Sequence, residues 1–436
     1  MIRKDDDAVY RSLGRKIDNL TVRVPWNETF RSILKELYTP EEAEVAVGMP
    51  YTLSSLDRIA LVTGIGQTRL QGLLDKLSNK GLVLDLVNPN DGQLYFMPSP
   101  LLIGLFEFTM MRQGNIDNKS QCAKLFQDYF TTFYPANFSN NEQVSIMRVI
   151  PVEETIRPDE YIEFMDYEKA SSIIENSHRF AIGLCSCRNE KFHNGEKECD
   201  APLDNCSALG IGADYLIRHN LGREVSKSEM LENFSRSKEL GLVFCADNTK
   251  RNPMVICHCC KCCCNYLAGA NKFGFPNSAV TSNFISVIDE AGCTGCGKCV
   301  EICPVNATSL VSANDHKKRK KKKAKVDAGI CVGCGVCAIK CTSHAIGMIN
   351  RGARVIHPET TFERIILLSL ERGNVQNVIF DNPRSVTQKY MRTFIGAFLK
   401  LSPVKRTLMS DLFRSAFLSS ARGVARIQGK GWMLDL

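Results

Sequence analysis

The sequence predicts an α+β protein of several domains, and three observations carry that reading. Apolar residues recur first at helical and then at strand spacing over residues 1–112. A four-cysteine pattern occurs twice between Cys293 and Cys341. Residues 355–436 return to helical periodicity with a basic polar side. A chain of 436 residues has room for about two to four domains, and 44 % hydrophobic residues suffice for real cores.

Twenty cysteines would suggest disulfides in a secreted chain, but Met1-Ile2-Arg3-Lys4-Asp5-Asp6-Asp7 has neither an apolar stretch nor a small-residue cleavage site. The expected compartment is therefore reducing and cytoplasmic, with the cysteines as metal ligands. No apolar run approaches the roughly 18–20 residues that span a bilayer. The net charge of +8 favours an acidic partner, a nucleic acid or an anionic surface without choosing among them.

Within residues 1–112, Phe30, Ile33, Leu34 and Leu37 mark one face of a helix that ends near Thr39-Pro40. Leu56, Ile59 and Ala60 start a second, which stops at Gly64; Leu70, Leu73, Leu74 and Leu77 mark a third, closed by Gly81. Two alternating strands, Leu82–Val87 and Gln93–Met97, flank the turn Asn88-Pro89-Asn90-Asp91-Gly92. Helices and hairpin in this order make a winged-helix domain. In a DNA-binding use the helix from Gln67 to Asn79 would enter the major groove. Arg69, Lys76 and Lys80 are the only cations on or beside it and the turn carries none, which favours a docking or scaffold use.

Residues 113–285 read as a cysteine-rich α/β domain. A helix is expected around Leu125–Phe133 with a loop at Asn137–Asn141, a buried strand over Val144–Val152, and a helix near Tyr167–Ser177. Phe180–Leu184 is a short apolar strand that delivers Cys185-Ser186-Cys187-Arg188. Cys199 and Cys206 follow, with Cys206 expected to open a helix through Ala213 and Tyr215. Gly210-Ile211-Gly212 lacks the strand and third glycine of a nucleotide fingerprint and reads as helix packing. Ser226-x-x-Glu229 is a capping box that starts a helix to Leu240.

Then comes a run with six thiols in eight residues: Cys257, Cys259, Cys260, Cys262, Cys263 and Cys264. Left free they would be an oxidation liability, so they read as metal ligands, shared among more than one site or joined by Cys185, Cys187, Cys199 and Cys206. With Cys245, and leaving Cys122 aside, the region holds eleven thiols, which at four per cubane allow two clusters at most. One or two [4Fe–4S] clusters are expected here, with a four-thiolate zinc site on Cys185, Cys187, Cys199 and Cys206 as the alternative. His258 reads as a neighbour of the ligands and Cys122 as a core residue.

The repeat itself spans residues 286–354. It reads Cys293-x-x-Cys296-x-x-Cys299-x-x-x-Cys303-Pro304 and then Cys331-x-x-Cys334-x-x-Cys337-x-x-x-Cys341. Such a run sets three thiolates on one tight turn and sends the fourth to the other cluster. One [4Fe–4S] cluster would take Cys293, Cys296, Cys299 and Cys341, the other Cys331, Cys334, Cys337 and Cys303. Zinc and disulfides are the alternatives, but zinc ligands are usually spaced as separated pairs and do not call for a doubled triplet. Between the halves lies a lysine-rich insertion, His316 to Lys325, suited to steer an acidic redox partner or to sit as a solvated hairpin tip.

This doubled motif resembles the bacterial two-cluster ferredoxin, with Thr342 where the second copy often has proline. The order of winged helix, Cys-x-Cys-Arg, Gly241-Leu242-Val243 before the thiol run, and twin motif resembles a family of multi-cluster ferredoxin-type proteins of anaerobic prokaryotes. The resemblance implies electron transfer and names no substrate; Cys245 stands where such relatives would carry histidine, which leaves open whether it is a ligand.

In residues 355–436, Glu363–Leu370 is one amphipathic piece, Tyr390, Phe394, Ile395, Phe398 and Leu399 line a second, and Leu408, Leu412, Phe413, Ala416 and Phe417 a third. Helices with such basic surroundings can lie on an anionic membrane surface, dock a partner or pack as core. The leading functional reading is an iron–sulfur electron-transfer component, rather than a complete enzyme, that relays single electrons between a donor and a partner oxidoreductase. The alternatives are a redox-responsive DNA-binding regulator and a reductase using a middle-region cluster. No catalytic acid or base stands out.

Overall fold

The computed structural model describes residues 6–112, 118–138, 144–274, 281–314, 321–352, 355 and 357–436. The chain divides into two compact units, one of residues 1–144, 218–221 and 359–436, the other of residues 145–217 and 222–358. Helices and small sheets are mixed throughout, so the protein is α+β. No helix among the described residues is long and apolar enough to cross a membrane.

The first unit starts with helices Asp6–Asp18, Glu28–Leu37 and Pro40–Gly48. The third has a full capping box, in which the Thr39 hydroxyl accepts from the Glu42 N–H while the Glu42 carboxylate reaches the Thr39 N–H. Strand β1 (Ser54–Ser55), helices Leu56–Thr63 and Gln67–Asn79, and strands β2 (Val83–Val87) and β3 (Leu94–Pro98) follow, in the sheet order β1-β3-β2. Gly64 ends the first of these helices at φ 68°, a left-handed conformation that suits glycine.

Helix Lys119–Phe138 runs further than the periodicity suggested, and the expected loop does not begin at Asn137. That side chain is buried and brackets the backbone of Arg23, accepting from its N–H at 3.0 Å and donating to its carbonyl at 3.0 Å. The rest of the expected loop, 139–141, lies outside the described residues.

The C-terminal part of this unit forms helices Thr361–Arg372, Val375–Ile379, Val386–Leu399, Ser402–Met409 and Asp411–Ile427. The apolar stripe expected as one third helix is therefore split between two, because Ser410 is extended (φ −69°, ψ 153°). Phe362, Ile366, Leu367, Leu370, Leu399 and Leu418 bury together as their core. Tyr390 and Phe394 of the expected apolar face point outward, 73 % and 77 % exposed.

In the second unit, strands β4 (Met147–Ile150), β5 (Phe180–Leu184), β6 (Asp204–Leu209), β7 (Gly222–Glu224), β8 (Val243–Asp247) and β9 (Val255–Cys259) form one sheet in the order β4-β8-β9-β6-β5-β7. Every pair is antiparallel, which corrects the α/β expectation for this region. A parallel sheet would need helices on both faces. Here one face packs Ile150, Phe180, Ile182, Leu209, Phe244 and Ile256 against Ile173, Met230 and Phe234 of helices Ala170–Glu175 and Lys227–Glu239, and the other face carries thiols. Cys206 lies within β6, and the helix expected to open on it starts only at Gly210. A Cβ on Gly212 would stand 2.4 Å from the Met254 carbonyl oxygen, so that helix needs glycine for close packing.

The repeat forms two antiparallel ribbons, β10 (Phe284–Ile288) with β13 (Ile346–Asn350), and β11 (Thr308–Ser312) with β12 (Lys322–Val326). Short helices Lys298–Ile302 and Val336–Ile339 carry the third cysteine of each triplet, Cys299 and Cys337. Of the lysine-rich insertion, residues 315–320 lie outside the described residues and Lys322, Lys323 and Lys325 are on β12.

The two sequence ends of the first unit meet in a buried ionic group. Asp381, 1 % exposed at its side chain, takes Arg58 at 2.6 Å and Lys430 at 2.6 Å, and accepts from the Thr52 hydroxyl at 2.6 Å. Burial alone would raise the Asp381 pKa, but Lys430, Thr52 and Arg58 outweigh it and hold the carboxyl below its ordinary range. Its stabilising contribution is therefore complete at neutral pH and is lost as pH falls through the depressed pKa. Asp381→Ala leaves Lys430 buried without its carboxylate and is expected to cost about 3–5 kcal/mol. Tryptophan fluorescence during denaturation measures this, since Trp26 and Trp432, the only tryptophans, both belong to this unit.

Candidate metal centres

The first ferredoxin-like quartet surrounds an open volume. Cys293, Cys296, Cys299 and Cys341 line an open pocket together with Gly295, Ala324 and Ala345. The Ala324 N–H donates to Cys293 Sγ at 3.5 Å, and the Lys298 N–H, ahead of the Thr294 hydroxyl, lowers the Cys296 pKa. Gly295 and Gly333 sit at φ 73° and 70°, and a Cβ there would lie 2.2 Å from the Lys322 and 2.1 Å from the Phe284 carbonyl oxygen. Only glycine allows these turns to approach the neighbouring strands so closely.

The second quartet is buried. Cys331, Cys334, Cys337 and Cys303 are all classed with the core, and Cys303 joins the charge environment of Cys334 and Cys337 rather than that of its own triplet. The Ala307 N–H donates to Cys303 Sγ at 3.2 Å and Ser286 Oγ lies 3.2 Å from Cys337 Sγ. Burial pushes the Cys337 thiol up to about 12. These thiols must release protons to a metal to become ligands, and a four-thiol chamber with N–H donors suits an iron–sulfur cubane.

Ten of the eleven thiols from Cys185 to Cys264 fall into two groups, with Cys185 between them, and strand geometry explains the split. Residues of β9 alternate between faces, so Cys257 and Cys259 share one face while His258 takes the other. Cys245 of β8 is paired directly with Cys257, and Cys206 of β6 sits one step beyond the Ser207–Ile256 pair on the same face. The Cys257 thiol meets Cys206 and Cys259, Cys259 also meets Cys245 and Cys264, and Cys264 meets Cys187. Contacts from Cys206 and then Cys259 lower the Cys257 pKa to about 5. Cys245 thus belongs to this six-thiol group, a membership that the alternation of β8 against β9 signals once the strands are paired.

His258 points into the apolar face, with its Nε2 2.8 Å from Ser207 Oγ and its ring 4.6 Å from that of Phe234. Burial, then Arg188, lowers its pKa to about 3, so it is a neutral core histidine. Cys122 is likewise buried, its thiol pushed up to about 11 by burial.

The remaining thiols gather at the turn after β9. Cys199, Cys260, Cys262 and Cys263 have all four sulfurs within 4.8 Å of one another. Cys185, the N-cap of helix Ser186–His193, feels Cys257 on one side and Cys260 on the other. Arg188 of that helix is fully buried, and its guanidinium donates to the Pro202 and His258 carbonyls and to Asn205 Oδ1. It forms no ion pair with a carboxylate among the described residues. Burial opposes its charge, but the thiols of Cys185 and Cys260 outweigh this and raise its pKa. Negative sulfur is its counter-charge, a role beyond its place in the Cys-x-Cys-Arg motif.

Cross-ligation makes a sharp prediction. Cys303→Ser is expected to abolish the cluster of Cys331, Cys334 and Cys337 and to leave that of Cys293, Cys296 and Cys299 intact; a loss of about four irons per chain, with one of two EPR signals retained, checks it.

Residues 292–345 match the 4Fe-4S dicluster domain family. No curated protein and no solved structure matches the chain. The dicluster match over this segment and the clustered thiols support an iron–sulfur protein of ferredoxin type with an electron-transfer role.

Proposed function

We propose that this chain relays single electrons between a donor and a partner oxidoreductase, with the cluster site of Cys293, Cys296, Cys299 and Cys341 as its outer contact. The carrying observation is the surface at that site. Cys296 is the exposed ligand, Lys298 beside it is exposed, and β12, with exposed Lys322 and Lys325, closes one wall of the pocket through Ala324. Such a positive rim suits an acidic docking face. When bound, a [4Fe–4S] cluster takes up and gives back one electron. The chain's own residues exclude water from the buried quartet, donate N–H groups to sulfur and set the local charge.

The thiol face of β6, β8 and β9, with Cys206, Cys245, Cys257 and Cys259, supplies ligands for a third cluster together with Cys187 of helix Ser186–His193 and the helix cap Cys264. The module of residues 1–112 serves in this reading as a winged-helix docking domain in an anaerobic, cytoplasmic setting. A DNA-reading use draws little support from helix Gln67–Asn79: Arg69 is paired with Glu41 at 2.6 Å and Lys80 with Glu42 at 2.6 Å, leaving Lys76 as the cation without an ion pair among the described residues. Cys296 at a lysine rim likewise argues for a component of a redox chain ahead of a self-contained reductase.

Two measurements test the proposal. Anaerobically purified protein should hold about twelve irons, four per cubane, with three one-electron steps in an EPR titration. Reduction by dithionite, an anionic reductant, should slow with rising salt, and Lys322→Glu with Lys325→Glu should slow it roughly tenfold at low salt with iron content unchanged. Rates indifferent to salt and to charge reversal would remove the docking face.

A second reading of the C-terminal helices has its own observation. Val386, Tyr390, Phe394 and Phe398 form a stripe at i, i+4 spacing, 67 %, 73 %, 77 % and 55 % exposed. On an anionic membrane surface this stripe would be covered. Flotation with anionic vesicles should then fall several-fold in Tyr390→Ser with Phe394→Ser, and equal flotation of both proteins would exclude it.

A further inference from the structure

We infer that Cys199, Cys260, Cys262 and Cys263 hold a single zinc ion and not a cubane cluster. Their sulfurs are too close together for a cluster. Cys262 and Cys263 are 3.4 Å apart, Cys199 and Cys263 3.9 Å, Cys260 and Cys262 3.9 Å, and all four fit within 4.8 Å. A tetrahedral ion with zinc–sulfur bonds of about 2.3 Å places its ligand sulfurs about 3.8 Å apart. Thiolates on a cubane each cap a different iron, so they must stand further apart around the cluster body. Cys293, Cys296, Cys299 and Cys341, by contrast, line an open pocket.

The local chain supports one ion. Cys260-Lys261-Cys262-Cys263 is a turn in which the Cys264 N–H returns to the Cys260 carbonyl at 3.3 Å, a Cys-x-x-Cys loop of the zinc type with a third thiol inside it. Cys199 arrives from the loop between helix Ser186–His193 and β6. Ala201 and Leu242 pack against the sulfurs, which limits the room for inorganic sulfide. A tetrathiolate zinc site carries two excess negative charges, and buried Arg188, facing Cys260 and lacking a carboxylate, supplies one positive charge. Among divalent ions a thiolate site prefers zinc over ferrous iron.

With four protein ligands the site has no open position, so its work is structural. It ties the Cys199 loop to the turn after β9. That turn holds the ferredoxin module in place, since Lys261 Nζ donates to the Glu301 carbonyl at 3.3 Å and Asn271 of the following helix donates to the Pro304 carbonyl at 2.9 Å, next to Cys303. Seven middle-region thiols remain, enough for one cubane, so the site also limits the third centre to a single cluster.

The test uses the full chain made anaerobically with both iron and zinc supplied. Elemental analysis should find one zinc per chain beside the iron, and zinc-edge X-ray absorption should show four sulfurs at about 2.3 Å. Cys199→Ser with Cys262→Ser should lose the zinc and keep the iron. If that variant fails to fold, the absorption edge of the unaltered protein and the visible bands of a cobalt-substituted sample decide the ligand set. Absence of zinc from the unaltered protein, or loss of iron from the variant, whether singly or in fours, would overturn the assignment. The relay is tested separately by the cluster EPR signals, so either proposal can fail alone.

Discussion

Four thiolates do not share a protein interior unless a cation holds them there, and the second unit depends on that constraint. Each buried negative sulfur loses hydration that only metal, N–H donors or a cation can replace. The chain answers in three ways. Around the repeat it uses tight glycine turns that aim backbone N–H groups at sulfur. On the sheet it sets four thiols together on one face and brings Cys187 and Cys264 against them. At the turn it places Arg188, a buried guanidinium whose negative partners are the sulfurs of Cys185 and Cys260.

The same constraint explains why the sheet is antiparallel. A strand with thiols on one face and apolar side chains on the other cannot be sandwiched between two helical layers. Helices Ala170–Glu175 and Lys227–Glu239 cover only the apolar side, where Phe234, Phe244 and His258 interlock. The thiol side is left to metal chemistry. His258 and Cys257, neighbours in sequence, therefore have opposite fates.

Much of this was legible in the sequence, and the rest fails for particular reasons. The repeat was readable because its ligands sit on short local turns, where spacing alone determines what can meet. Helices Glu28–Leu37, Leu56–Thr63 and Gln67–Asn79 were readable from apolar periodicity and from Gly64 and Gly81. The grouping of the middle thiols was not, because it depends on the register of β8, β9 and β6, whose partners lie far apart in the chain. Cys206 looked like a helix start because Ala213 and Tyr215 follow it at helical spacing, but it lies within β6, whose last three residues precede the helix at Gly210. Asn137 looked like a loop residue because asparagine usually is one, and only its pairing with Arg23, 114 residues earlier, makes it helical.

Ligand number decides how far the relay can extend. If every middle thiol served a cubane, eleven would support two clusters and leave three over, a surplus of reactive buried sulfur that the fold would have to protect. Dividing them by geometry leaves the same three over but places them: four close sulfurs gather at the turn, and one cluster takes four of the seven on or beside the sheet face. Cys185, between the two groups and beside Arg188, is then a natural choice for the neighbour that completes neither set but shares the guanidinium with both. A run that looks like excess in sequence, Cys257 to Cys264, is thus a strand end, a turn and a helix cap, of which the strand end and the cap share one thiol group while the turn sends its thiols to Cys199.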